Sequence, residues 1–363
     1  MNDKQMISTR QFTIVTFLFF IGTSILIIPS YLAEMSKQDA WIAAIIGVVF
    51  SLLLVMLFIK VSRIAPQHSF VEIIEKVFGK WLGRGIALLF VLFAFMNAAE
   101  LLYFIGSFMQ IEIMPETPNL AFVLLFIVIV MMASYLGLET FARSAEIFFP
   151  VFIFLFICLV IFITPNIQFE NLQPVLDTAP RSMVASILYF MSIFSFPAII
   201  LLMIFPYTVN KNNSANKGFY IGTLLSGVVL ILLITLCIVV LGVVNSASQN
   251  YPSYILAQRI SLGKFFQRIE VIMTFMWIIT IYIRTFMYFY AAFIGLKQIF
   301  HIRDAKPLLF PLMLLLIGLS QIIHPNITYA NVYNQGVWLP YSATFAIVLP
   351  LLLLLIAKIR RLK

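Results

Sequence analysis

The residues of this sequence that could bind a small molecule are a run of small and hydroxyl side chains at 22–25 (GTSI) and two isolated charges, Glu100 and Arg284. Each lies inside a long apolar segment, where a charge facing lipid costs at least ~2.5–3.5 kcal/mol. We therefore expect Glu100 and Arg284 to face protein or a water-filled cavity. Such residues can recognise a polar ligand by charge and hydrogen bonding.

The run at 22–25 also predicts a break in a membrane helix. Gly22 loosens helical backbone, Thr23 and Ser24 can satisfy freed backbone groups, and Pro29 cannot donate to the helical ladder. A break is tolerated in lipid only where the backbone faces protein or a cavity. Residues 22–30 are therefore either a binding segment, with helix ends that offer N–H groups and carbonyls, or a packing motif with a proline kink.

Both isolated charges belong to polar stripes on otherwise apolar helices. The first stripe consists of Asn97, Glu100, Tyr103 and Ser107, and the second of Trp277, Thr280, Arg284 and Tyr288. Two such stripes favour a shared cavity wall. The alternative is a structural ion pair between Glu100 and Arg284 that holds the helices together without contacting a ligand.

A search for catalytic chemistry finds no candidate pattern. His68 and His301 lie in polar connecting segments and His324 lies at a helix end, with no metal-binding pair, nucleophile with a base, or phosphate-binding glycine loop. We expect no enzyme activity, no cofactor and no metal site.

Composition places the chain in a membrane. It has 63% hydrophobic residues, 10% charged residues and a mean hydropathy of +1.07 over 363 residues, too little polar material to cover a soluble globule. The surplus of Lys and Arg is spread over several connecting segments, which argues against a nucleic-acid partner. Most of these bases fall on one side if the N-terminus is cytoplasmic, so the positive-inside rule predicts both termini in the cytoplasm.

Apolar segments predict ten membrane-spanning helices in a single domain, 1–363. They are 11–34, 40–62, 84–110, 119–138, 145–164, 183–206, 219–244, 268–298, 307–324 and 337–358. Residues 67–82 have an apolar stripe opposite charged residues, which predicts an amphipathic helix on the cytoplasmic membrane surface.

The ten spans divide into two groups of five with opposite orientation, which predicts an inverted repeat of 11–164 and 183–358. The sixth span contains a counterpart to the first break: Ser192, Phe194 and Ser195 precede Pro197. Interrupted helices at matching positions of two repeats are the best sequence indication of a binding site at the membrane midplane.

Several stretches resemble known membrane proteins. Residues 22–25 with Pro29 resemble the first-helix break of the amino acid-polyamine-organocation transporter superfamily, with Thr23-Ser24 where many members have a second glycine. Residues 78–83 (FGKWLG), 171–176 (NLQPVL), 268–270 (RIE) and 291–297 (AAFIGLK) are similar to the spore germination permease family, the B subunits of nutrient germinant receptors. The likeness runs through essentially the whole chain.

The resemblance implies an all-α fold of the leucine-transporter type, in which spans one and six are broken around a ligand. It also implies a location in the inner membrane of the endospore, partner A and C subunits, and the sensing of a small nutrient such as an amino acid or a sugar. In such folds a cation site lies between spans one and eight, and we expect Arg284 to occupy or neighbour it, which would make sodium unnecessary.

We therefore predict a pocket between the broken helices with a supporting wall from spans three and eight. The ligand-binding residues are Gly22, Thr23, Ser24, Ile25, Ser192, Phe194 and Ser195, and the supporting residues are Glu100, Tyr103, Trp277 and Arg284. Two alternatives remain: a proton-coupled amino-acid symporter in which Glu100 titrates, and a scaffold whose pocket is vestigial.

Overall fold

The chain is a bundle of α-helices over the residues that the computed structural model describes, 6–209, 212–260 and 270–361. Within these ranges the β-structure consists of one isolated bridge between Ile7 and Val209. Arg268, where the predicted eighth span begins, lies outside the described residues.

The first half of the bundle contains seven helices. They are α1 (Thr9–Ile21), α2 (Ser24–Ser36), α3 (Ala40–Ser62), α4 (Phe70–Phe78), α5 (Lys80–Phe108), α6 (Asn119–Leu136) and α7 (Leu138–Ile163). A 3-10 turn (Lys37–Asp39) joins α2 to α3, a π turn (Met109–Ile113) ends α5, and two 3-10 turns (Thr164–Asn166 and Phe169–Leu172) follow α7.

The second half begins with α8 and ends near the C-terminus. Its helices are α8 (Pro180–Phe194), α9 (Asn212–Ser248), α10 (Pro252–Gln258), α11 (Val271–Ile299), α12 (Leu309–Ile322), α13 (Ile327–Gly336), α14 (Trp338–Ala343) and α15 (Leu349–Ile359). Phe196–Met203 forms a 3-10 helix after α8, Lys306–Leu308 a 3-10 turn before α12, and Thr344–Val348 a π turn between α14 and α15.

Eight helices of the described chain are long and apolar enough to cross a membrane. The number rises to nine if the pair Lys306–Ile322 and Ile327–Gly336, which is bent by 96°, is counted as one span. That count joins Ser24–Ser62 into one 39-residue helix, whose length of about 58 Å would be roughly twice the hydrocarbon core. Lys37, with φ 49°, separates α2 from α3. The all-helical membrane architecture is confirmed, and the number ten stays a prediction, as does the division into repeats.

The broken helix α1–α2 lies inside the bundle. Both α1 and α2 pack against α9, and α5 packs along α11. Close approach of α1 and α9 requires glycine at 218 and 222, where a Cβ atom would collide with Thr13 and Thr16 of α1. Tight packing on all sides fixes the position of the break.

The amphipathic stretch predicted over 67–82 is shorter than expected and is packed differently. α4 starts at the N-cap Ser69, whose side chain accepts from the backbone of Glu72, and ends before Gly79. Its apolar side chains, Phe70, Val71, Ile73, Ile74 and Val77, are buried because α4 packs on α5, α11 and α15. Trp81, which the sequence pattern placed on the same stripe, belongs to α5 and is 90% exposed.

Candidate functional site

The break in the first span covers only Gly22 and Thr23, between α1 and α2. Pro29, which the sequence predicted to be part of the unwound segment, lies inside α2. A proline there leaves the carbonyl four residues earlier, that of Ile25, without its helical donor. The hydroxyl of Ser253 in α10 donates to that carbonyl over 2.6 Å, so the helix continues through the proline.

Gly22 is required at the break for two reasons. Its φ of 28° is unfavourable for residues with a side chain. A Cβ atom at this position would also collide with Cδ of Arg284, which packs directly against the glycine. The Gly22 carbonyl accepts a hydrogen bond from the Thr280 hydroxyl over 3.2 Å, so α11 holds the broken backbone from the side.

The sixth span is also interrupted, as predicted. α8 ends at Phe194, and the chain continues as the 3-10 helix Phe196–Met203. The last carbonyls of a helix have no partner within it, and side chains from other helices take two of them here. Trp338 Nε1 donates to the Ser192 carbonyl over 3.0 Å, and Arg284 Nη2 donates to the Ile193 carbonyl over 2.7 Å.

Arg284 connects the two breaks. Its Nη1 donates to Thr23 Oγ1 over 3.0 Å and to Ser24 Oγ over 3.4 Å, while Nη2 reaches α8. The guanidinium also lies 5.5 Å from the centre of the Phe19 ring. It therefore stands where the C-terminal ends of α1 and α8 come together. The C-terminal end of each helix dipole favours a positive charge.

Glu100 faces a different partner. Its Oε1 lies 3.4 Å from Nε2 of His324, and both residues are buried, with 7% and 4% of their surface exposed. Nδ1 of His324 has no hydrogen-bond partner among the residues that the structure describes. The alternative of a direct Glu100–Arg284 ion pair does not hold for the described residues, because the guanidinium is engaged by the two helix breaks and the carboxylate by His324.

Glu100 and Arg284 nevertheless line the same space. A cavity of about 30 Å³ lies at the breaks and is lined by Thr23, Ile27, Asn97, Glu100, Leu101, Phe104, Ile193, Arg284, Tyr288, Asn334 and Trp338. A second cavity of about 230 Å³ is lined by Met96, Asn97, Glu100, Ile323, His324, Tyr329, Tyr333 and Tyr341. Because Asn97 and Glu100 line both, these two side chains form the partition between them.

The structure brings three of the predicted site residues to the cavity at the breaks, namely Thr23, Glu100 and Arg284. The hydroxyls of Ser192 and Ser195 bond to their own helix, at Tyr189 and Met191. The remaining predicted residues pack nearby: Gly22, Ser24 and Ile25 around the first break, Phe194 against Phe20, Tyr103 against His324, and Trp277 against Phe108. Their roles in ligand binding stay predictions.

Sequence reasoning missed His324, Asn334 and Trp338. His324 was treated as a residue at a helix end, and Asn334 lies on α13, which falls between two predicted spans. The polar composition of α13 reads as a loop, yet the Asn326 side chain caps it by accepting from the Tyr329 N–H over 2.8 Å. An N-cap residue at Asn326 was the feature of the sequence that could have indicated helix α13.

Comparison with known proteins places these features in a family. A family model described as spore germination protein (Spore permease) matches residues 6–328. Spore germination protein KB of Bacillus subtilis (strain 168) is 27% identical over 361 residues, covering 98% of this chain and 95% of that protein. Spore germination protein YndE of the same organism is 25% identical over 371 residues, with 98% and 97% covered.

Solved structures agree on the fold. A nucleobase-cation-symport-1 family transporter in a closed conformation with bromovinylhydantoin bound has a TM-score of 0.66 at 12% identity, covering 94% of this chain and 78% of that one. MhsT in complex with L-phenylalanine has a TM-score of 0.68 at 15% identity, with 94% and 88% covered. The predicted leucine-transporter-type fold is thereby confirmed, and the family and its structural neighbours are of receptor or transporter types.

Proposed function

The chain belongs to the spore germination protein family of permeases, and from that premise we propose that it is the membrane subunit of a nutrient germinant receptor. In this proposal a small nutrient, an amino acid or a sugar, binds at the two helix breaks. The resulting change in conformation is passed to A and C partner subunits in the inner membrane of the endospore, with both termini of this chain in the cytoplasm.

The observation that carries the proposal is the cavity shared by Thr23, Glu100 and Arg284. A carboxylate, a guanidinium and a hydroxyl line one space at the meeting point of two interrupted helices. Opposite charges in one lining suit a zwitterion such as an amino acid, and the hydroxyl and amide groups suit either an amino acid or a sugar.

The cavity is so small that binding a nutrient would require a change in conformation, and that change is the proposed signal. Small-molecule sites measure about 300–1,000 Å³, and the cavity at the breaks measures about 30 Å³. A nutrient fits only if the partition formed by Asn97 and Glu100 moves and the cavity joins its neighbour of about 230 Å³. Binding would therefore favour a second conformation, which partner subunits could detect.

One specific observation supports the alternative of a proton-coupled amino-acid symporter. Glu100 and His324 are two adjacent, buried, titratable side chains, an arrangement that can carry a proton through a membrane protein. In that mechanism Glu100 would be protonated on one side of the membrane and deprotonated on the other as substrate crosses.

Measurements of nutrient binding and of nutrient uptake distinguish the receptor from the symporter. The purified chain is first screened for nutrients that raise its melting temperature, and uptake of each labelled hit into proteoliposomes is then measured with and without an imposed pH gradient. The receptor proposal expects binding without uptake. Uptake by this chain alone, driven by the gradient and lost in Glu100→Gln, would establish the symporter instead.

The site itself is tested by a matched pair of substitutions in spores that carry only this receptor. Thr23→Val keeps the shape of the side chain but removes a hydroxyl that lines the cavity and accepts from Arg284 Nη1 over 3.0 Å, and we expect germination to need about tenfold more nutrient, the effect of one lost hydrogen bond. Thr285→Val removes a buried hydroxyl that has no hydrogen-bond partner in the described part of the chain and should change nothing. Equal responses of the two variants would favour a vestigial pocket.

A further inference from the structure

A groove on the outer surface of the bundle lies between α6 and α12, away from the helix breaks. It has a volume of about 300 Å³ and is lined by Met131, Met132, Tyr135, Leu136, Lys306, Leu309 and Phe310. Three of its apolar side chains, Met132, Leu136 and Phe310, are 57%, 54% and 62% exposed. In a membrane protein this surface faces the acyl chains of the bilayer.

The groove adjoins a larger cavity of about 840 Å³, with which it shares Tyr135, Lys306 and Leu309. The cavity lining contains four residues with basic side chains, Lys297, His301, Arg303 and Lys306, and two acidic ones, Glu72 and Asp304. The space therefore changes from apolar to basic along its length, which is the pattern that an anionic amphiphile would match.

Lys306 is held at the junction of the two spaces. Its ammonium lies 4.6 Å from the centre of the Tyr135 ring, a cation–π contact that keeps the charge over the mouth of the groove. Asp304, an acidic residue of the same cavity lining, accepts from the backbone N–H of Lys306 over 3.1 Å. Burial raises the pKa of Tyr207, which lines the same cavity, so its phenol remains a donor at neutral pH.

The basic end lies on the side of the bundle that holds the N-terminus. The N–H of Ile7 donates to the Thr208 carbonyl over 2.9 Å, and Thr208 lines the same cavity as Lys306. The charge distribution of the sequence predicts that this side is cytoplasmic. Anionic lipids enrich the cytoplasmic leaflet and attract basic residues at its surface.

We propose that this groove binds one anionic phospholipid. An acyl chain lies between α6 and α12 along Met132, Leu136 and Phe310, and the headgroup phosphate lies between Lys306 and Arg303. A transmembrane helix of another protein could cover the apolar part, but it would bury the cationic mouth without a matching charge, and an unpaired cation is costly in that setting. Charge complementarity therefore favours an anionic lipid over a transmembrane helix as the molecule that binds in the groove.

The test uses the purified full-length chain in detergent, titrated with phosphatidylglycerol or phosphatidylcholine and followed by native mass spectrometry. We expect one tightly retained phosphatidylglycerol and no equivalent retention of phosphatidylcholine. Lys306→Gln should weaken retention about fivefold, and adding Arg303→Gln should weaken it about fivefold again, because each base near the surface contributes about that factor. Lys60→Gln, an exposed base at the end of α3, should leave retention unchanged.

Two further measurements distinguish binding of a whole phospholipid from binding of a phosphate headgroup alone. Met132→Trp fills the groove without altering charge, and it should abolish lipid retention in a protein whose melting temperature is unchanged. Glycerol phosphate, a headgroup without acyl chains, should fail to displace the lipid at equal concentration. Equal retention of both lipids, insensitivity to Lys306→Gln and Met132→Trp, or displacement by glycerol phosphate would each overturn the proposal. None of these readouts requires a nutrient, so they stand or fall separately from the receptor function.

Discussion

Two of the charges buried in the bundle, Arg284 and Glu100, line one cavity but stand in very different surroundings. The Arg284 guanidinium donates to Thr23, Ser24 and the Ile193 carbonyl, and its stem packs on Gly22. Glu100 has one long contact of 3.4 Å to His324 and lies between two cavities.

This difference separates a fixed part of the site from a part that can move. Arg284 donates to two hydroxyls at the first break and to the Ile193 carbonyl at the second, so displacing it would remove hydrogen bonds from three buried oxygen atoms at once. Glu100 and His324 could change partners or take up water at little cost, because open space adjoins them. We infer that Arg284 holds the breaks together and that Glu100 with His324 is the element that responds to a ligand.

The largest effect is expected from Arg284→Gln. Removing the charge leaves the Ile193 carbonyl and the ends of α1 and α8 without their cation, and each hydrogen bond from a charged group contributes about 1.5–3 kcal/mol to stability. Thermal and SDS unfolding of the purified protein should show this loss. Arg143→Gln, an exposed arginine on α7, serves as the control and should unfold like the wild type.

The contrast between the fixed Arg284 and the less constrained Glu100 would be contradicted if Glu100→Gln lost as much stability as Arg284→Gln. Its single long contact predicts a loss of about 1 kcal/mol, several times smaller. Equal losses would mean that Glu100 is as firmly integrated as the arginine.

Gly22→Ala is expected to have the next largest effect. A methyl group at this positive φ carries a backbone cost of about 1–3 kcal/mol, and it would push Arg284 away from Thr23 and Ser24. Gly85→Ala in α5, where a Cβ atom would meet none of the described residues within 4 Å, should instead be neutral or stabilising by about 0.5–1 kcal/mol. Melting temperatures of the two variants give the contrast, and a tolerated Gly22→Ala would show that Arg284 is less fixed than its contacts indicate.

The same two regions differ in how well the sequence predicts them. Gly22, Thr23 and Arg284 were predicted because a glycine with hydroxyl neighbours and a lone charge are rare inside apolar segments. The confinement of the break to Gly22–Thr23 depends on Ser253, which supplies the donor that Pro29 lacks. No pattern near Pro29 contains that information, because the two residues are distant in the chain.

Glu100 was predicted to face a cavity, but its partner was not. His324 comes from the turn between α12 and α13, where the chain bends by 96°. Such a bend depends on tertiary packing, and a single histidine at a helix end carries no periodic signal. The ring of Tyr103, Tyr329 and Tyr333 around His324 likewise becomes visible only when three separate segments meet.

A smaller effect is expected from His324→Gln. Glutamine keeps a donor for the Glu100 carboxylate but cannot become charged, so stability should fall by about 0.5–1.5 kcal/mol. If this pair responds to ligand, the rise in melting temperature on adding nutrient should be smaller in His324→Gln than in the wild type. The control His301→Gln alters a histidine on the opposite, basic side and should retain the wild-type rise. An unchanged rise in His324→Gln would remove the distinction between a fixed and a responsive region.

The smallest effect is expected from sodium. The guanidinium of Arg284 is always charged and already stands between the broken first span, α1–α2, and the eighth span, α11, where the resemblance to transporters predicts a cation site. Replacing sodium chloride by choline chloride should therefore leave the melting temperature and nutrient affinity unchanged. A bound sodium ion at 100 times its dissociation constant would instead stabilise the protein by about 2.7 kcal/mol, a shift that thermal unfolding detects readily. Sodium-dependent stability in the wild type would mean that the ion binds beside Arg284, whereas sodium dependence that emerges only in Arg284→Ala would show that the arginine takes the ion's place.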